Sequence, residues 1–261
     1  MGKFISTEMF PSGVCELTIQ RPEALNALNI EVLNELKVTL EEISKSSEIR
    51  VLVLKGAGDK AFVAGADIRE MQAMDRSEAA IFARLGHHVC FLLESMPKVT
   101  IAAVHGFALG GGTELAMACD FIVASEKAQF GLPEVTLGVI PGFGGTIRLM
   151  RLVGLARAKE LIFSGERIKA PEAKELGMIR TVIPQEGFLE AVRAMATRIA
   201  QNSMSAIIAA KSLMNEFQET VGIHPKADAE IHRFSGLFVS ADRVEGMLAF
   251  TEKRPAHFEG L

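Results

Sequence analysis

The stretch His105-Gly106-Phe107-Ala108-Leu109-Gly110-Gly111-Gly112-Thr113-Glu114-Leu115-Ala116-Met117-Ala118-Cys119-Asp120 decides how the rest of the chain is read. An apolar run, Val99 to Val104, precedes it and predicts a buried strand. Three glycines follow, and then a short helical pattern that carries a glutamate. Glycines between a strand and a helix let a ligand approach the backbone and leave N–H groups unshielded. A carboxylate one turn further on is unusual in such apolar surroundings, so the combination points to a site. Taken alone, the stretch equally fits a tight turn with Glu114 facing solvent.

Working outward, Val51-Leu52-Val53-Leu54 is a second, continuous apolar run and predicts another buried strand. Val14 to Gln20 alternates as a half-buried strand that Arg21-Pro22 ends. Asn29 is the expected N-cap of a helix from Ile30 to Ser44, with Leu33, Leu36, Leu40 and Ile43 on one face. Asp75 and Glu78 have capping-box spacing for a helix reaching Ser95, which Pro97 closes. Gly56 to Asp67 is rich in small residues and too irregular for a helix. Past Asp120 come a short strand from Phe121 to Ala124 and an extended piece, Ala128 to Glu134, which ends in a second carboxylate. A glycine-dense turn, Gly138 to Thr146, leads into a helix. Ala170-Pro171 starts a short helix with proline at its first position, which Gly177 ends, and Arg180 to Ile183 reads as a last strand. From Glu186 the pattern is helical, ending with Ser240 to Arg254. The strand, strand, helix order with parallel pairing implies an α/β fold.

Composition narrows the function. The 261 residues suffice for a large core with a smaller element packed on it. A net charge of −4 without a dense basic block gives no footprint for nucleic acid. Cys15, Cys90 and Cys119 are widely spaced in apolar surroundings and read as reduced core residues. The six histidines lack metal-ligand spacing, so no metal is expected. The longest apolar stretch is interrupted by His105, glycines and Glu114, which argues against a membrane span. The first residues lack a signal peptide's apolar segment, and a cytoplasmic location is expected. Met1 to Ser6 matches a short myristoylation pattern, but Phe4 and Ile5 read as the start of a strand.

Three stretches taken together resemble the crotonase (enoyl-CoA hydratase) family: Ala61 to Ile68, Gly106 to Asp120, and Phe130-Gly131-Leu132-Pro133-Glu134 running to Pro141-Gly142-Phe143-Gly144-Gly145-Thr146. Arg21 to Leu28, Glu245-Gly246-Met247 and Phe250 to Arg254 extend the resemblance over essentially the whole chain. It implies a crotonase-like spiral of strand-strand-helix repeats over residues 1–198. Residues 199–261 would form a helical C-terminal oligomerisation region, giving a homotrimer or homohexamer.

The resemblance also implies roles. Backbone N–H groups of Ala66 and Gly111 would form an oxyanion hole at an acyl-CoA thioester carbonyl, and small residues suit that close approach. Glu114 would activate a water, Glu134 would protonate the alpha carbon, and Gly142 would offer its N–H to the water; hydration needs such a divided acid–base pair. Ala64, Ala66, Asp67 and Ile68 would contact CoA, joined by Phe250 and Lys253 from the tail; Lys253 equally reads as an ordinary helix-end lysine. No cofactor is implied, because coenzyme A is part of the substrate. The absence of Trp and Tyr disfavours relatives that use a catalytic tyrosine or an Asp–Trp pair. Thr113, Phe143 and Ile147 depart from the common hydratase pattern, and Phe143 bears on acyl-chain preference. The expected activity is hydration of trans-2-enoyl-CoA to 3-hydroxyacyl-CoA, of the fatty acid beta-oxidation type. A 3-hydroxybutyryl-CoA dehydratase, a branched-chain enoyl-CoA hydratase and a CoA-binding oligomer without turnover stay open.

Overall fold

The computed structural model describes residues 2–217 and 240–259. Strands β1 (Ile5–Met9), β2 (Val14–Ile19), β3 (Val51–Gly56), β5 (Val99–Val104), β7 (Phe121–Ser125) and β10 (Thr181–Ile183) form a six-stranded sheet in the order β1-β2-β3-β5-β7-β10. It is parallel except for the β1–β2 hairpin. A second, four-stranded sheet has the order β4-β6-β8-β9, built from β4 (Ala61–Val63), β6 (Phe107–Leu109), β8 (Gln129–Gly131) and β9 (Arg167–Lys169). Successive strands alternate between the sheets: β3 then β4, β5 then β6, β7 then β8. Each turn of the chain thus lays one strand in each sheet before a helix returns it, and the path is a spiral.

The apolar runs become strands buried on both faces, and the alternation within them sorts two cores. Leu52, Leu54, Ala102, Val104, Ile122 and Ala124 face the larger core, with helices α1 (Ile30–Lys45) and α3 (Arg76–Ser95). Val51, Val53, Val99, Ile101, Ala103 and Val123 point the other way, against Phe188, Val192, Ala196 and Ala200 of α8 (Phe188–Ala200). Fully burying such a side chain contributes on the order of 2 kcal/mol. The helical pattern beginning at Glu186 is therefore first of all the cover of this second face. Helices α9 (Met204–Phe217) and Ala241–Glu252 follow it.

Helix starts are set by the side chains the sequence offers. The Asn29 side chain accepts from the Val32 N–H. Asp75 accepts from Ser77 and Glu78, and Glu78 accepts from the Asp75 N–H, completing the capping box. Two details differ from the sequence reading. Glu134 lies in a 3₁₀ turn, Pro133–Leu137, instead of ending an extended piece, because Pro133 presets the turn's backbone and halts β8. Pro171 stands second, not first, in helix α7 (Ala170–Glu175). The three cysteines are free and buried. Among the described residues, no helix is long and apolar enough to cross a membrane.

Candidate active site

The parallel pairing of β4 with β6 (Ala61 opposite Phe107, Val63 opposite Ala108) sets two loops side by side at the strand ends. One is Ala64-Gly65-Ala66-Asp67; the other is Gly110-Gly111-Gly112, which opens helix α4 (Gly111–Met117). Two glycines are required by the geometry. Gly110 turns the chain at φ +49°, with the Glu134 carboxylate 2.9 Å from where a Cβ would stand. Gly112 lies so close to the Val63 carbonyl that a Cβ would overlap it. Thr113 then ties the helix to both neighbouring strands, its hydroxyl reaching the carbonyl oxygens of Ala108 and Gly131.

This framework leaves donors free. Leu28 bridges Ala66 by bonding to Gly65 O and accepting from Asp67 N, so the N–H of Ala66 is passed over. The Gly111 N–H begins a helix and has no partner within it. Among the described residues neither N–H has an acceptor. Both residues line a cavity of about 480 Å³, together with Ala64, Ile68, Gly142, Glu114 and Glu134. Its remaining wall is mostly apolar, including Met71, Met74, Phe82, Val139, Ile140 and Phe143.

The two carboxylates are held differently. Glu114 is 1% exposed, and its Oε1 accepts from the N–H groups of Phe143 (2.8 Å) and Gly145 (2.6 Å). Burial pushes its pKa up, while these two bonds and the Arg148 charge pull against that rise. Glu134 has no such cradle, and its Oε2 is buried without a hydrogen-bond partner among the described residues. Burial lifts Glu134 to about 7, opposed by its own N–H and reinforced by the negative charge of Glu114. Glu114 thus has two backbone donors favouring its charged form on one oxygen, while burial favours a proton on Glu134 near neutrality.

The other expected residues fall outside the cavity wall. Asp67 caps helix α2 (Ile68–Met71) through the Arg69 N–H and pairs with Arg21 at 2.7 Å, so its carboxylate is held below the usual range despite the opposing effect of burial. Lys253 is exposed just past the last helix at φ +56°. The Phe250 side chain lies outside the described residues. Sequence reasoning missed Arg167, which reaches the cavity wall and stacks over Phe107 at 5.8 Å, and Phe82, which meets Phe143 edge-on at 5.3 Å. Phe82 was accessible from the apolar face of α3; nothing in the spacing marks Arg167.

Two free N–H groups beside a pair of unlike carboxylates in an apolar cavity define a site for proton transfer next to a polarised carbonyl. The enoyl-CoA hydratase/isomerase family model matches residues 9–261, and the chain belongs to that family. It is 46% identical over 242 residues to a crotonyl-CoA hydratase of Syntrophomonas wolfei, covering 93% of each chain. With a short-chain-enoyl-CoA hydratase of Clostridium acetobutylicum it shares 44% over 241 residues, covering 92% of each. The crystal structure of an enoyl-CoA hydratase from Bacillus anthracis superposes with a TM-score of 0.96 at 39% identity, covering 99% of this chain and 100% of that one. The spiral of strand-strand-helix repeats is therefore the crotonase fold.

Proposed function

We propose that the chain is a 2-enoyl-CoA hydratase, adding water to trans-2-enoyl-CoA to give the 3-hydroxyacyl-CoA. The observation that carries this reading is the unequal treatment of Glu114 and Glu134 around one cavity. With Oε1 held by two backbone N–H groups, Glu114 has Oε2 to take a proton from a water that the Gly142 N–H helps to place. The water oxygen bonds to C3, and the C2–C3 π pair shifts to form an enolate. Its oxygen accepts from the N–H groups of Ala66 and Gly111. Glu134 then delivers its proton to C2, leaving one water added across the double bond. Dehydration is the same path reversed. No redox or metal cofactor enters this balance, and coenzyme A comes with the substrate.

The hydratase relatives named for crotonyl-CoA and short-chain substrates support a short acyl group. Ala64, Ala66 and Ile68 would meet the pantetheine, with Asp67 acting through the loop it caps, and Phe250 and Lys253 reaching CoA from the tail. Residues 1–198 are the catalytic core in this reading, and residues 199–261 assemble it into a homotrimer or homohexamer in the cytoplasm. Loss of the ultraviolet absorbance of crotonyl-CoA tests the activity, with Glu114→Gln and Glu134→Gln as controls. Rapid loss in the parent and a collapse in both variants is expected. A parent that binds acyl-CoA but leaves crotonyl, longer and branched enoyl thioesters unchanged would favour binding without turnover.

A further inference from the structure

The two N–H groups that hold Glu114 come from the turn that leads into a helix. Between Phe143 and Gly145 stands Gly144 at φ +102°, just before helix α5 (Gly145–Val153). One side chain braces it. Arg148 Nη1 donates to the Phe143 carbonyl oxygen at 2.7 Å. The same guanidinium is gripped by Glu94 of α3, with Nε bonded to Oε1 and Nη2 to Oε2, both at 2.7 Å. A planar fork held through two of its nitrogens has its third nitrogen fixed in one place. Here that place is beside the carbonyl of the residue whose N–H bonds Glu114.

We infer that Arg148, clamped by Glu94, is a positioning residue for Glu114: it fixes the backbone that seats the carboxylate and sets a positive charge behind it. The inference rests on the reading of Glu114 as the group that accepts the water proton. Charged or titratable neighbours come from each element packed around Glu114. Helix α3 contributes Cys90 and Glu94, the 3₁₀ turn contributes Glu134, and α5 contributes Arg148; His87 of α3 lies against the Gly144 turn. Of these, only Arg148 is both positively charged at every working pH and bonded to the loop that holds the carboxylate. Its charge works with the two backbone hydrogen bonds against the rise that burial gives the Glu114 pKa.

The test is the pH profile of kcat/KM on crotonyl-CoA for the parent, Arg148→Met, Arg148→Lys and Glu94→Gln. Removing the charge raises the Glu114 pKa, so the acid limb in Arg148→Met is expected to move up by about one pH unit. Loss of the brace is expected to lower kcat about 10²-fold with a smaller change in KM. Arg148→Lys restores the limb but not kcat, because an ammonium lacks the fork. Glu94→Gln keeps the limb and lowers kcat. An acid limb that stays in place in Arg148→Met overturns the inference. Should Arg148→Met not fold, a limb or kcat in Arg148→Lys and Glu94→Gln equal to the parent's would overturn it as well. Carbon-13 titration of glutamate-labelled protein, with the Glu114 signal identified by its loss in Glu114→Gln, reads the same shift without turnover. An inert parent with a shifted Glu114 titration in Arg148→Met would sink the hydratase reading and sustain this one; an unshifted titration would sink this one alone.

Discussion

Glu16 and Glu114 are buried to the same degree, 2% and 1% exposed, and sit under opposite electrostatic regimes. Glu16 projects from β2 towards α8, where Lys55 reaches its Oε2 at 2.6 Å and Arg193 its Oε1 at 2.7 Å. Burial alone would raise its pKa, but hydrogen bonds from Arg193 and Lys55 outweigh that, and the carboxyl ends below its usual range. Among the described residues, Glu114 is met by two backbone N–H groups and no direct ion pair, and its pKa is raised. The lesson is that burial does not by itself make a working acid or base. A carboxylate neutralised on both oxygens fastens a helix to a sheet; one held by dipoles on a single oxygen keeps the other for chemistry.

The largest effects should come from replacing carboxylate by amide on the two sides of this comparison. Glu114→Gln and Glu134→Gln are each expected to lower kcat for hydration by about 10²- to 10⁴-fold, the usual worth of a positioned acid or base. Neither should lower the melting temperature, because the amide oxygen at position 114 can still accept from Phe143 and Gly145. Glu16→Gln should do the reverse and leave kcat near the parent value. A Glu16 variant that lost turnover while staying folded would break the distinction. Gly112→Ala is the backbone counterpart: its methyl must displace the Val63 carbonyl, so the two glycine-bearing loops part. A loss of about 1–3 kcal/mol in stability is expected from overpacking, alongside reduced turnover, by thermal melts and the crotonyl-CoA assay.

Legibility in the sequence followed local physics. Val51–Leu54 and Val99–Val104 were readable because strands covered on both faces leave apolar runs, interrupted here only by Thr100, and the Asn29 and Asp75 caps because they act within three residues. Strands β4 and β6 were not, since three residues each are too few to show a period. Helix α6 (Leu155–Ser164) was obscured because Leu155 and Phe163 are exposed at 54% and 72%, which blurs its apolar face. At the site, the glycines and carboxylates could be picked out, but spacing left Glu114 open between cavity and solvent, and only the family resemblance chose. The Glu94–Arg148 clamp spans 54 residues of sequence and joins two helices, so no local pattern could announce it.

The structural member of the pair gives an intermediate effect. Glu16→Gln removes the charge shared by Lys55 and Arg193, whose side chains are 16% and 34% exposed. Breaking a fully buried pair costs roughly 3–5 kcal/mol, but water reaches both cations here, so about 1–2 kcal/mol is the fitting figure. For a chain of this size that is a fall of about 2–8 °C in melting temperature. Glu16→Met together with Lys55→Met would sharpen the point, since removing two partners at once leaves fewer stranded charges. A double variant melting above Glu16→Gln is the expected order; the reverse order would mean that the α8 contact depends on the cation itself.

The smallest effect, and the one that separates the regimes most directly, is the sign of the pH dependence of stability. Glu16 has a folded pKa below its ordinary value of 4.5, so its contribution is complete above that value and fades as pH falls through the lower folded pKa. The gap in melting temperature between the parent and Glu16→Gln should therefore narrow on acidification below about 4.5. Glu134 has its pKa raised from 4.5 to about 7, so the folded state holds a proton that the unfolded chain has already released. Its ionisation opposes folding, and that penalty grows from pH 4.5 and is complete above about 7. Glu134→Gln should then gain stability relative to the parent across that window. Melts between pH 3 and 8 would show the two difference curves sloping in opposite senses with respect to neutral pH: one variant losing ground as pH rises, the other gaining it. Parallel curves would mean that Glu134 has found a partner for its buried oxygen in solution and is no longer the group that holds a proton near neutrality.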